Sequence, residues 1–287
     1  MQRVAFLCLG TMGGPMAAHL ARAGYDLAVY NRTRARAEAW VGAHGGCVAD
    51  SPAAAARGRD IVLACTGNDD DLAAIALGEG GALDGMPPGS VFVDHTTVSA
   101  DVTRELARAA RERGLAWVDA PVSGGESGAQ QGVLTVMCGG DREAFERVRP
   151  VVETYARAVT RMGPSGAGQL TKMVNQICLA GLIQGLAEGL RFAQRAGLDA
   201  QQVVDVIAQG AAQSWQMDHR ARTMLEGRFD FGFAVDWMCK DLGIALAEAR
   251  RNGAQLPVTA QVERFYAELQ ARGDGRLDTS SLIRRLA

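Results

Sequence analysis

The chain has 287 residues and a formal net charge of −2, so it offers neither a basic field for nucleic acid nor an acidic tail. No run reaches the roughly 18–20 uninterrupted apolar residues that a membrane span requires. Six cysteines without a Cys-x-x-Cys pair and four scattered histidines give no metal framework, and the start lacks the features of a secretion signal, so a cytoplasmic protein is expected.

The first half alternates β-rich runs with helical stretches, the pattern of a parallel sheet covered by helices. Val4 to Leu9 is wholly apolar, as a central strand buried on both faces must be. A helix is predicted from about Pro15 to Ala23, stopped by Gly24, and a second strand over Leu27 to Tyr30. Ser51-Pro52 starts a short alanine-rich helix. Ile61–Cys65 and Val91–Asp94 read as strands, Ser99 caps a helix running to Gly114, and Trp117–Ala120 and Leu134–Met137 continue the sheet. Past Gly163 the pattern becomes helical only. Lys172 to Ala196 reads as one helix of roughly 37 Å, and Gly197, Gly210, Gly253 and Pro257 punctuate the helices after it. The expected architecture is an α/β Rossmann domain over 1–163 and an all-α domain over 164–287, joined by a long inter-domain helix.

Between the first strand and its helix lies Leu9-Gly10-Thr11-Met12-Gly13. A dinucleotide fold carries Gly-x-Gly-x-x-Gly here, and this chain supplies the second and third glycines. Gly10 lets backbone approach a pyrophosphate, Gly13 lets helix pack on strand, and the helix start offers N–H groups to phosphate. Cys8 replaces the first glycine, at the tight turn, and reads as a buried, inert thiol, the competing reading being a thiol activated by the helix start and readily oxidised. After the second strand stands Asn31-Arg32-Thr33 in place of the acidic residue that would hold the ribose of NAD. Arg32 and Thr33 suit a 2′-phosphate, so NADP is the preferred cofactor and NAD the alternative. The competing reading is a solvated arginine followed by a helix-capping threonine.

Lys172, Asn175 and Gln176 lie three and four positions apart, on one side of an otherwise apolar helix. A lysine in such surroundings is costly unless it is partnered or functional, although a snorkelling lysine gives the same pattern. Ser123-Gly124-Gly125 supplies consecutive unhindered N–H groups and a hydroxyl, an arrangement that can cradle a carboxylate or simply make a turn of small residues.

With these residues in place, the chain resembles the β-hydroxyacid dehydrogenase family over nearly its whole length. The motifs are Gly10-Thr11-Met12-Gly13-Gly14-Pro15-Met16, then Asp94-His95-Thr96-Thr97, then Asp119-Ala120-Pro121-Val122-Ser123-Gly124-Gly125, then Gly166 to Gln176, and last Lys240-Asp241-Leu242. The resemblance implies a Rossmann domain, a helical domain that makes homodimers or homotetramers, and a small carboxylate-bearing substrate. It places Leu9, Gly10, Thr11, Met12, Gly13, Asn31, Arg32, Thr33, Thr66, Thr97 and Lys240 at the cofactor. Ser123, Gly124 and Gly125 fall at the substrate, and Lys172 and Asn175 at the chemistry. Thr66-Gly67 stands where many relatives have Leu-Pro, so that wall of the cofactor site differs.

Hydride transfer to a carbonyl leaves charge on oxygen, and Lys172 fits as the acid that protonates it, or as the base in the reverse direction. Asn175 is expected to hold the substrate hydroxyl and orient Lys172, or to make a structural hydrogen bond, while Gln176 supports the helix. One or two of Trp215, Phe231, Phe233 and Trp237 are expected to wall the pocket. The expected function is an NADP-preferring dehydrogenase or reductase of small β- or γ-hydroxy acids and semialdehydes. An imine reductase of the same fold is the nearest alternative, against which Lys172 argues, and a non-catalytic dinucleotide-binding scaffold is the other.

Overall fold

The first strand, β1 (Arg3–Leu7), is buried from its second residue on, and its side chains alternate between two cores. A computed structural model describes residues 2–286. In chain order β1 is followed by α1 (Gly13–Arg22), β2 (Asp26–Tyr30), α2 (Arg34–His44), β3 (Cys47–Val48), α3 (Pro52–Ala56) and β4 (Ile61–Ala64). Next come α4 (Asp69–Leu77), α5 (Ala82–Gly85), β5 (Val91–Asp94), α6 (Ala100–Glu112), β6 (Ala116–Asp119), β7 (Val122–Ser123) and α7 (Gly125–Gln131). β8 (Leu134–Gly140), α8 (Arg142–Val152) and β9 (Ala156–Gly163) complete the α/β part. The remainder is helical: α9 (Ala167–Arg195), α10 (Ala200–Ile207), α11 (Trp215–Leu225), α12 (Val235–Asn252), α13 (Pro257–Ala271) and a 3-10 helix over Thr279–Leu286.

The sheet order β3-β2-β1-β4-β5-β6 is parallel throughout, the order of a doubly wound dinucleotide fold. Beyond β6 the sheet turns antiparallel: β8 pairs with β6 and β7 in that sense, and β9 then runs parallel to β8. Val4, Phe6, Leu27, Val29, Ile61 and Leu63 share one core with Met16 and Leu20 of α1. Ala5, Leu7, Val62, Phe92 and Trp117 share the other, where Phe92 and Trp117 stack with centroids 4.4 Å apart. Ser51 and Ser99 cap α3 and α6, accepting from Ala54 N–H at 3.0 Å and Val102 N–H at 3.1 Å.

The chain divides into two compact units, one through Lys172 and one from Met173 on. The division falls inside α9, because its first turn is bonded to the sheet: Asp119 at the end of β6 accepts from Gly166 and Gln169 N–H at 2.8 and 3.1 Å. The second unit has its own core, built from Ala180, Ile183, Leu186 and Leu190 of α9 with Met217, Met238, Leu242, Val262 and Tyr266. Among the described residues no helix is long and apolar enough to cross a membrane.

Candidate functional site

The segment leaving β1 turns sharply at Cys8, which has φ of 72° and is the one described non-glycine residue at positive φ. The turn that normally takes glycine is therefore kept, and the cysteine carries the strain, of order 1–2 kcal/mol. Its N–H donates to Tyr30 O at 2.8 Å. Burial pushes the thiol up to about 12, Asp71 adds to the rise and Arg32 opposes it, so Cys8 stays protonated at neutral pH. Gly13 opens α1 against the strand end: a Cβ there would collide with Cys8 O and lie 3.0 Å from the Phe6 ring. Gly10 is different. A Cβ there would meet no protein atom within 4 Å, so packing does not demand glycine at this position, and the bare backbone leaves room for a group approaching from outside.

Asn31 ties two loops together. Its Oδ1 accepts from Leu9 N–H at 3.0 Å and its Nδ2 donates to Thr33 O at 3.0 Å, which joins the segments after β1 and β2. Arg32 is 90 % exposed, with Asp71 at 3.8 Å. Thr33 stands at the N-cap of α2 but its side chain makes no capping bond. After β4 and β5, Thr66 N–H donates to Thr96 Oγ1 at 2.9 Å, and Thr96 N–H donates to Asp94 Oδ1 at 2.8 Å. Leu9 to Gly13, Asn31 to Thr33, Thr66 and Thr97 thus come just after the C-terminal ends of β1, β2, β4 and β5. That is the sheet edge where doubly wound folds bind ligands, around the β1/β4 switch point.

Next to β5, His95 is buried, with Nδ1 2.6 Å from Ala120 O and Nε2 2.8 Å from the Tyr155 hydroxyl. A carbonyl can only accept, so Nδ1 carries the proton and the Tyr155 hydroxyl donates to Nε2. Burial lowers its pKa to about 4, against a small raising effect of the Ala120 carbonyl. His95 thereby pins Ala120, at the start of the Pro121-Val122-Ser123 segment. Ser123 ends β7, and Gly124 and Gly125 come next with φ of 130° and 62°. Both values lie where side chains are strained, so the bend into α7 needs glycine twice.

Lys172 sits one turn into α9 and is 7 % exposed. Asn175 and Gln176 come after it on the same helix, in the second unit. Gln176 is buried and links two groups: Asn175 Nδ2 donates to its Oε1 at 2.8 Å, and its Nε2 donates to Asp241 Oδ2 at 2.6 Å. Asp241 Oδ1 lies 3.2 Å from Lys240 Nζ. That approach is an ion pair without hydrogen-bond geometry, since the oxygen has no hydrogen-bond partner among the described residues. Asn175 and Lys240, both singled out from sequence, are therefore members of one polar chain that runs through Gln176 and Asp241. Phe233, Lys240 and Trp237 lie on or beside the start of α12, with Lys240 Nζ 5.7 Å from the Trp237 ring centre. Trp215 and Phe231 instead flank the Arg220 guanidinium, at 5.1 and 4.9 Å, and Arg220 pairs with buried Asp278 at 3.2 Å.

Sequence reasoning passed over Gln169, which is fully buried. The available signal was its spacing: a lone amide three residues before Lys172, hence on the same face.

A parallel sheet in this order, a tight turn into a helix, and a bare-backbone edge at the switch point define a dinucleotide-binding fold. Comparison with known proteins agrees. Residues 3–163 match the NAD-binding domain of 6-phosphogluconate dehydrogenase, and residues 166–286 match the NAD-binding domain of NADP-dependent 3-hydroxyisobutyrate dehydrogenase. A Shewanella frigidimarina protein named an uncharacterized oxidoreductase is 59 % identical over 100 % of this chain and 98 % of its own. The NAD-dependent L-serine dehydrogenase of Pseudomonas aeruginosa is 34 % identical over 98 % of this chain and 96 % of its own. A solved Mycobacterium tuberculosis 3-hydroxyisobutyrate dehydrogenase with L-serine superposes with a TM-score of 0.89 at 32 % identity, covering 100 % of this chain and 99 % of that one. The chain belongs to the β-hydroxyacid dehydrogenase family, of the 3-hydroxyisobutyrate dehydrogenase type, and is an NAD(P)-dependent oxidoreductase acting on CH–OH groups.

Proposed function

We propose that the protein interconverts a small β- or γ-hydroxy acid and its semialdehyde, prefers NADPH, and uses Lys172 as general acid and base. The observation that carries this reading is a nearly buried lysine one turn into a helix whose start is bonded to the sheet. A cation so placed has lost most of its water, and buried titratable groups of this kind are often functional.

The nicotinamide dinucleotide supplies or accepts the hydride when bound. Gly10 and Gly13 give its phosphates bare backbone and a helix start, while Thr66 and Thr97 line the same edge. Ser123, Gly124 and Gly125 hold the substrate carboxylate through N–H groups and a hydroxyl. As hydride reaches the carbonyl carbon, the C=O π pair moves to oxygen. The Lys172 ammonium gives that oxygen a proton, is left neutral, and is recharged from solvent. In the oxidation neutral Lys172 takes the hydroxyl proton. Asn175, held by Gln176, orients the substrate hydroxyl. Lys240 is assigned to the cofactor on the family resemblance.

The NADPH preference is supported by Arg32 and Thr33 where NAD enzymes carry an acidic residue. The Arg32–Asp71 pair is exposed and long, a kind worth about 0–1 kcal/mol, so a 2′-phosphate outcompetes it. We also propose a homodimer or homotetramer, supported by exposed Val174, Phe192, Leu198 and Val206 in the second unit, apolar side chains that a subunit contact would cover. Light scattering that finds only monomer at assay concentrations would remove that part.

The test of the lysine role is Lys172→Ala. Turnover is expected to fall at least a hundredfold while NADPH binding, followed by quenching of protein fluorescence, changes less than threefold. Equal loss of both would sink the acid–base assignment.

A further inference from the structure

We infer that Gln169 is a positioning residue that sets Lys172 against the cofactor edge of the sheet, by fastening the first turn of α9 to the loop after β5. The inference rests on Lys172 being the acid–base group.

Gln169 is the one polar side chain in the opening Ala167-Gly168-Gln169-Leu170 turn of α9, and it is 0 % exposed. Its carboxamide is used on both sides. Nε2 donates to Thr96 O at 2.7 Å, and Oε1 accepts from Val98 N–H at 3.2 Å. These two bonds bracket Thr97. Thr96 in turn accepts from Thr66 N–H through its Oγ1. The loops after β4 and β5 and the first turn of α9 are therefore one hydrogen-bonded assembly, although the partners are separated by 71 and 73 positions in the chain.

The other side of the same turn is equally committed. Gln169 N–H and Gly166 N–H donate to the two oxygens of Asp119, a buried carboxylate at a helix start, where N–H groups and the helix dipole favour negative charge. Gly168 and Gly139 leave no slack. A Cβ on Gly168 would collide with Met137 O, and one on Gly139 would lie 2.6 Å from both Asp119 oxygens. Asp119 thus fixes where the helix starts, and the Gln169 side chain fixes that start relative to the loop carrying Thr97. Lys172 is three residues on, on the same face as Gln169. Misplacing a reacting group by about 1 Å costs on the order of a hundredfold in rate, so this bridge bears directly on catalysis while touching neither substrate nor cofactor.

The experiment compares Gln169→Met and Gln169→Glu with wild type and Lys172→Ala. Methionine matches the length without either hydrogen bond. Glutamate keeps the shape and the acceptor for Val98 N–H but offers no donor to Thr96 O, and it sets a second carboxylate against Asp94, whose Oδ2 lies 3.5 Å from the Gln169 Nε2 position. Four quantities are read: thermal midpoint, NADPH affinity by fluorescence titration, kcat, and the isotope effect on kcat with NADPH deuterated at the transferred position. The expected result is a folded protein that binds NADPH within threefold of wild type. Its kcat should fall at least tenfold in Gln169→Met and at least as far in Gln169→Glu, with a larger isotope effect in both because the chemical step has become slower. A purely structural role predicts instead that kcat falls only in proportion to the titratable NADPH sites, with an unchanged isotope effect, and that outcome would overturn the inference. So would wild-type kcat in either folded variant. If Lys172→Ala retains turnover, the acid–base reading fails. If Lys172→Ala is inert while Gln169→Met is fully active, the positioning role alone fails.

Discussion

Cys8 and Arg32 are single-residue departures from the ordinary dinucleotide pattern, and each has a separable consequence. Cys8 holds a left-handed backbone that glycine enters freely and a β-branched residue resists. Cys8→Gly is expected to unfold in urea within about 1 kcal/mol of wild type, since relief of strain is offset by greater freedom of the unfolded chain. Cys8→Val should lose about 2 kcal/mol or more. Equal stability of the two variants would show that the turn is not strained. Arg32→Asp puts repulsion where a 2′-phosphate would lie, and the ratio of kcat/KM for NADPH over NADH should drop at least tenfold, as expected for loss of a charged hydrogen bond of about 1.5–3 kcal/mol. An unchanged ratio would mean that Arg32 does not read the phosphate. That Arg32, Thr33 and the two motif glycines follow the ends of β2 and β1 was legible, because each position is local to one turn. The bonds of Asn31 and Gln169 were not, because their partners are fixed only when distant strands pair.

Among the elements, helices and strands with strong local signals were read nearly to the residue. β5 has four consecutive buried residues, and Ser51 and Ser99 each cap a helix as their position foretold. Elements whose signal is weak were missed. α2 buries just Ala37 and Trp40, α8 contains Pro150, and β9 is largely half-buried or exposed along its length. The antiparallel turn of the sheet at β7 and β8 also lies beyond any local pattern, since strand direction is set by the connection and not by composition. The pairing of α9 with α12 through Gln176 and Asp241 was half legible: both residues stood in noted motifs, but their contact spans 65 positions. It yields a stability prediction. Gln176→Met leaves Asp241 short of a donor and should cost about 1–3 kcal/mol in urea unfolding. Gln176→Glu sets a second carboxylate against buried Asp241 and should cost more. A Gln176→Glu protein as stable as Gln176→Met would contradict the buried chain.

Across the whole molecule, two buried groups couple folding to pH with opposite signs. His95 has a folded pKa of about 4, below its ordinary 6.5. The unfolded chain therefore binds the proton first, and stability present above pH 6.5 is lost as pH falls toward 4, by about 3 kcal/mol in total. Asp119 is shifted upward, chiefly by burial and against the pull of its backbone donors. Its folded form holds the proton longer, so its contribution declines as pH rises above the ordinary carboxylate range. Asp119 is common to wild type and His95→Asn, so the difference between their stability curves isolates His95. Wild type should lose more stability than His95→Asn between pH 6.5 and 4. Parallel curves would mean that His95 titrates normally.

Lysine-dependent hydride transfer to a carbonyl acid is read out by NADPH and NADH consumption with glyoxylate and with succinic, tartronate and methylmalonate semialdehydes, wild type beside Lys172→Ala. Wild type is expected to turn over at least one of these carbonyl acids, faster with NADPH, and the variant none. NADPH binding without consumption of cofactor by wild type on every substrate, or turnover that survives the loss of Lys172, would contradict the proposed chemistry.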